Sequence, residues 1–235
     1  MRVLGLFPHP DDETYAAGAA LAQCAAAGHD TRVVTATRGE AGRDRSGRST
    51  NTSDLARRRS AELAAACAAL GVSLHGFLDL PDGGLDRLPP GRLATRVAKV
   101  LDDLTPDVVV TLGADGVYGA LDHLALTRSI VSACDNRPTP LVLGSAFPVG
   151  TFTTLRRKLH RAGIAVDVDL ALGGHAADVA LRIDVGDWRE HKLAALRAHA
   201  SQLRDGDPFS FLTPQIVATV LREEWFVPLP CTSST

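Results

Sequence analysis

Four short apolar runs, at residues 3–7, 31–37, 74–80 and 108–112, are separated by three helix-length segments, at 14–27, 53–70 and 91–104. Strands that alternate with helices in this way pair in parallel, because each crossover must return the chain to the same sheet edge. The pattern predicts a Rossmann-like α/β fold, three layers with a mostly parallel central sheet. Pro106 closes the third helix and opens the fourth strand. Further strand-like runs fall at 141–146 and 179–184, and further helices are predicted at 124–133, 187–200 and 214–224. No repeat divides the chain, and 235 residues suit one domain spanning 1–235. The stretches 38–51 and 147–174 read as loops, apart from a helical turn at 155–159. The first, poor in apolar residues, is expected to be exposed and mobile near the site mouth. The basic run Arg156, Arg157, Lys158 and Arg161 reads as a solvated face.

Charge and composition exclude several classes. The 25 basic and 27 acidic residues nearly cancel, so neither nucleic acid nor an anionic membrane is an expected partner. No apolar stretch reaches the roughly 18 residues of a membrane span. The start runs straight into a strand-like segment, so no signal peptide is expected. Cys24, Cys67, Cys134 and Cys231 make no CxxC pair and fit a reducing cytoplasm. No Gly-x-Gly-x-x-Gly follows the first strand, so nucleotide binding is not implied.

Directly after that strand stands Phe7-Pro8-His9-Pro10-Asp11-Asp12-Glu13, one imidazole and three carboxylates within five residues. Open α/β sheets place their sites at the carboxyl ends of strands, which is where this block falls. A neutral imidazole and a carboxylate serve as zinc ligands, and a second carboxylate can take a proton from a metal-bound water. Helix capping accounts for one or two of these acids but not for the whole block. A catalytic zinc site needs three protein ligands. Among the remaining histidines, His123 follows the 108–112 run after a Gly-rich turn, at the same predicted sheet edge. Taken alone, a histidine in that position also has a structural reading.

The block is shared with a known family. With Thr37-Arg38-Gly39-Glu40-Ala41-Gly42, Arg59-x-x-Glu62, Pro81-Asp82-Gly83, Tyr118-Gly119-x-x-Asp122-His123 and His199-Ala200-Ser201-Gln202, the chain resembles the LmbE-like (PIG-L) zinc-dependent N-deacetylases and amidases from Val3 to about Gln202. The resemblance implies a Zn²⁺ ion on His9, Asp12 and His123, although such ligation also accommodates another divalent metal. It implies Asp11 as general base, with Tyr118 near the reacting carbonyl. Arg59 and Asp82 match substrate-binding positions, though a surface arginine and a turn aspartate are competing explanations. His199 is a pocket-lining candidate for substrate binding. Asp122 and Glu13 are candidates to orient ligands from behind, helix capping being the alternative for Glu13.

One departure stands out. The family commonly has Tyr-Gly-His-Pro-Asp-His where this chain has Tyr118-Gly119-Ala120-Leu121-Asp122-His123. The absent histidine is the one assigned to oxyanion stabilisation or leaving-group protonation, and alanine does neither. Tyr118 with zinc, or His199 or His175, are candidates to fill that role; a weakened or altered enzyme is the third explanation. The expected function is removal of an N-acetyl group from a small amino-sugar conjugate. The alternatives are an amidase of a larger amide, such as a thiol conjugate, and a metal-binding descendant that holds a sugar without hydrolysing it. A homo-oligomer is compatible with the sequence.

Overall fold

The computed structural model describes residues 1–134, 140–210 and 212–231. Its centre is a seven-stranded sheet formed by β1 (Arg2–Phe7), β2 (Asp30–Thr35), β3 (Ser73–Phe77), β4 (Val108–Leu112), β5 (Leu141–Ala146), β6 (Leu181–Asp184) and β7 (Glu223–Pro228), in the order β3-β2-β1-β4-β5-β7-β6. The first five strands are parallel; β7 runs antiparallel to both β5 and β6. The expected mostly parallel sheet is present, and the antiparallel part is confined to one edge.

Side-chain alternation in β1 shows how the sheet is buried on both faces. Val3 and Phe7 enter one core, and Leu4 and Leu6 the other. The helices are α1 (Asp12–Ala26), α2 (Thr52–Leu70), α3 (Arg92–Leu104), α4 (Gly116–Gly119), α5 (Leu121–Cys134), α6 (Thr153–Arg161), α7 (Arg189–Ala198) and α8 (Pro214–Val220). On one face α1, α2 and α7 pack together, with Leu21, Leu63, Cys67 and Ala195 buried between them. On the other, α3 and α5 contribute Val97, Leu101, Leu126 and Ile130. None of the described helices is long and apolar enough to cross a membrane.

The clearest departures from the sequence expectation are in α8 and α6. The helix predicted at 214–224 stops at Val220, and Glu223 and Glu224 belong to β7. Its start is as expected, with Pro214 in the first turn and the Thr213 hydroxyl accepting from the Ile216 amide. The reason for the early end lies in α1, where Ala17 leaves helical geometry (φ −149°, ψ 15°). The amides of Ala19 and Ala20 each donate to the Glu224 carboxylate at 2.8 Å, and buried Lys192 of α7 donates to it at 2.6 Å. A carboxylate so enclosed by donors is held in the sheet, whatever its helix propensity. The other difference is α6, a full helix where only a turn was expected within a long loop.

The strand order reverses between β1 and β4, the switch point at which open α/β sheets leave a crevice. Ladder-like bonds run past the strand ends: Ala36 N donates to Phe7 O at 2.8 Å, and Leu80 N to Ala36 O at 3.0 Å. They carry the loops after β1 and β3 toward the same crevice.

Candidate metal centre

His9, Asp12 and His123 meet in that crevice, offering ligand atoms that all lie within 4.8 Å of one another. His9 Nδ1 is 3.1 Å from Asp12 Oδ2, and His123 Nε2 is 3.6 Å from Asp12 Oδ1. His9 and Asp12 come from the β1–α1 turn, and His123 from the first turn of α5. The outward nitrogen of each imidazole is also engaged. His9 Nε2 lies 3.0 Å from Asp82 Oδ1 and 3.5 Å from Asp122 Oδ2. His123 Nδ1 donates to the carbonyl of Gly116 at 3.1 Å. Such acceptors fix the tautomer that leaves the opposite nitrogen as a lone-pair donor. Two imidazole nitrogens and a carboxylate, backed in this way, fit a divalent cation with room for further ligands.

The electrostatics agree with a site awaiting positive charge. Burial works against protonating His9, yet its bonds to Asp12, Asp122 and Asp82 hold its pKa well above the usual value. Burial opposes ionisation of Asp12 too, but the two histidines pull its pKa down. His123 is 1% exposed, and burial pushes its pKa below the ordinary imidazole value, favouring the neutral form a ligand requires.

Asp11 occupies a separate position. It stands at the N-cap of α1, yet its side chain makes no capping bond and its backbone takes φ 103°. A non-glycine residue at such a φ costs on the order of 1–3 kcal/mol, so the surroundings must impose it. They do: Glu13 Oε2 accepts from the Asp11 amide at 2.8 Å, and Arg59 Nη2 lies 3.1 Å from Asp11 Oδ2. Arg59 is itself fixed by donating to the carbonyls of Pro10 and Gly39. Gly39 has φ 71°, and a Cβ there would collide with the guanidinium, so no larger residue fits. Burial raises the Asp11 carboxyl to about 6, with Arg59 opposing the shift and Asp12 adding to it.

The geometry gives several of the expected site residues partners within the site itself. Arg59, expected to bind substrate, is buried, with its two Nη atoms on Asp11 and the two carbonyls, and it also borders an open cleft. Asp82, also assigned to substrate, spends one oxygen on His9 and the other on the Ala41 amide at 2.8 Å; burial resists its ionisation, but the His9 bond brings its pKa to about 2. Glu13 backs Asp11 and His199 rather than a metal-site histidine, with His199 Nε2 2.8 Å from its Oε1. Asp122 stands behind His9, 3.5 Å from its Nε2, and also accepts from the amides of Gly83 and Leu85. Tyr118 packs edge-on to His123, 5.1 Å between ring centroids, and burial among carboxylates keeps its phenol protonated. Of the histidines considered for the gap at Ala120, His175 is exposed and lines neither cavity, whereas His199 lines the inner one.

Two cavities meet at this centre. An open cleft of about 400 Å³ is walled by His9, Arg59, Asp82, Ala120 and Ile164 among others. A more enclosed cavity of about 250 Å³ lies on the other side, and Asp11, Asp12, Tyr118, His123 and Gln202 border both. Its apolar wall includes Phe152, Leu155 and Leu159, from the stretch read as loop. Their i, i+3, i+7 spacing was the helical signal available in the sequence. Glu40, for which the sequence alone suggests no role, accepts from the Asp82 amide through Oε1 at 3.0 Å.

Comparison with known proteins fits this geometry. A family model described as PIG-L, GlcNAc-PI de-N-acetylase, matches residues 4–134. The 1D-myo-inositol 2-acetamido-2-deoxy-alpha-D-glucopyranoside deacetylase of Thermobispora bispora is 33% identical over 268 residues, covering 96% of this chain and 87% of its own. The chain belongs to the PIG-L family. Among solved structures, the PIG-L fold seen here resembles N,N'-diacetylchitobiose deacetylase from Pyrococcus horikoshii, with TM-score 0.68 and 22% identity over 97% of this chain and 84% of that one. It also resembles GalB, the 4-carboxy-2-hydroxymuconate hydratase of Pseudomonas putida KT2440, with TM-score 0.67 and 18% identity over 100% and 99%. One fold thus carries both hydrolysis and hydration, and the activity must be argued from the residues. The PIG-L match contains all of the metal-centre residues but ends before α6, α8 and His199.

Proposed function

We propose that this chain is a zinc-dependent hydrolase that removes an N-acyl group from a small amino-sugar conjugate, working in the cytoplasm. The observation that carries the reading is Asp11. This carboxylate stands outside the ligand triad, in a strained backbone conformation, ion-paired to Arg59, with its pKa raised to about 6. A protein that only bound metal or sugar would have no use for such a group. The deacetylase named for Thermobispora bispora supports the amino-sugar class.

His9, Asp12 and His123 would hold the ion. When bound, zinc supplies Lewis acidity to the amide carbonyl and to the attacking water. Asp11 takes the proton from that water as it adds to the carbonyl carbon. Tyr118, kept protonated by burial beside Asp12 and Asp11, donates toward the oxygen on which charge develops. As the C–N bond breaks, Asp11 returns its proton to the departing amine. Alanine at 120 removes a donor whose loss typically costs on the order of 10²–10³ in rate, and Tyr118 is the group that stands in for it.

The test is primary-amine release by the zinc-loaded protein from a panel of N-acetylglucosamine conjugates. Release that stops when a chelator strips the zinc supports the proposal. A fully zinc-loaded protein that frees no amine from any conjugate overturns it.

A further inference from the structure

The inner cavity has no evident use in removing an acetyl group. Its apolar wall includes Leu112, Phe147, Phe152, Leu155, Ile216 and Val220, contributed by β4, the segment after β5, α6 and α8. Apolar side chains gathered from separate parts of the chain usually close into core. Here they leave about 250 Å³, and the gap opens on Asp11, Asp12, Tyr118 and His123. A cavity of about 150 Å³ with similar lining stays dry and takes benzene, whereas an acetyl methyl occupies little more room than one water, about 30 Å³. An acetylated substrate would leave most of this space empty and its lining without contacts.

The two cavities differ in character along one axis. The open cleft carries His9, Arg59, Asp82, Asp86 and Asp122, while beyond the shared residues the inner cavity is mainly apolar. An amide lying across the metal centre has a polar side and an apolar side for its two substituents. Hydroxyl-rich amine and hydrocarbon acyl chain match them in one orientation only.

We infer that the inner cavity seats a linear N-acyl chain of about six to ten carbons, so that the preferred substrate is an N-acylated rather than N-acetylated amino sugar. This rests on the hydrolase reading for the reaction, though not for the binding. Water adds across the amide, the C–N bond breaks, the fatty acid keeps the water's oxygen, and the amine takes the proton. Most of the apolar wall, from Phe147 to Val220, lies beyond the segment the family model matches, whereas Ala16, Leu112 and Val117 lie within it, so chain-length preference is set largely by a part of the chain that the shared metal centre does not constrain.

The experiment is calorimetric titration of the zinc-loaded Asp11→Asn protein with glucosamines N-acylated by chains of increasing even length, from acetyl to decanoyl. Affinity is expected to rise by up to about fourfold for each methylene buried, levelling off as the cavity fills. An affinity independent of chain length overturns the inference. Ile216→Phe, which fills the cavity, should cut the decanoyl-to-acetyl affinity ratio by at least about tenfold, and Ile216→Ala should move the plateau to longer chains. A rise with chain length that Ile216→Phe leaves intact would place the chain elsewhere and equally overturn it. Amine release by the wild type is scored separately. Length-dependent binding without release would keep the cavity assignment and overturn the hydrolase reading; release with no length dependence would do the reverse.

Discussion

Arg59 Nη2 lies 3.1 Å from Asp11 Oδ2, and the same guanidinium holds the carbonyls of Pro10 and Gly39. One buried side chain therefore fixes the position of the proposed base and also its charge. Arg59→Met should lower kcat by about 10²-fold with KM little changed, the loss expected when a reacting group is misplaced. It should also move the acid limb of the pH–rate profile. Asp11 serves as a base only when ionised, so activity falls as pH drops through its pKa. Removing a neighbouring cation raises that pKa, and the limb shifts to higher pH. A profile that stays in place would show that Arg59 does not act on Asp11.

Asp122 touches His9 Nε2 while its oxygens accept from two loop amides. Asp122→Asn should weaken zinc binding by about 10- to 100-fold with the fold intact, as measured by competition with a chromogenic chelator. Unchanged affinity would remove Asp122 from the support of His9.

His199 and Glu13 form a buried pair at 2.8 Å. Burial disfavours the charged imidazole, but Glu13 outweighs it and raises the His199 pKa. A raised folded-state pKa stabilises fully below the unfolded value of about 6.5, and the contribution disappears as pH rises through the folded value. The melting-temperature gap between wild type and His199→Gln should be widest near about pH 6 and should narrow toward about pH 9. A gap that widens with pH would contradict a protonated His199.

Lys192 and Glu224, both buried, bond at 2.6 Å, and Glu224 also holds the two amides beside the break in α1. Lys192→Met should destabilise by about 3–5 kcal/mol in denaturant titration, because it strands a buried carboxylate. A loss below about 1 kcal/mol would show that the two amides suffice.

The same pair marks the limit of what the sequence discloses. Val3 to Phe7 and the regular spacing of apolar runs are local signals, and the parallel sheet follows from them. His9, Asp11 and Asp12 were legible because a dense acidic block after a strand has few uses. Glu224 was misread because its strand state depends on Lys192 and on Ala19 and Ala20, all distant along the chain. Arg59 and Asp82 were expected to face substrate for a related reason. Their residue types suit sugar hydroxyls, and both do border the open cleft, but only the fold shows each also bonded to a neighbouring site residue. The inner cavity was hidden because it is assembled from segments scattered from α1 to α8, including the 147–174 stretch that reads as loop.

The most direct test of the account measures zinc content and amine release together on wild type and Asp11→Asn. One zinc per chain is expected in both proteins, with amine release from an N-acylglucosamine conjugate lost only in the variant. Equal release by both, with zinc bound, would contradict the role given to Asp11 and the mechanism built on it.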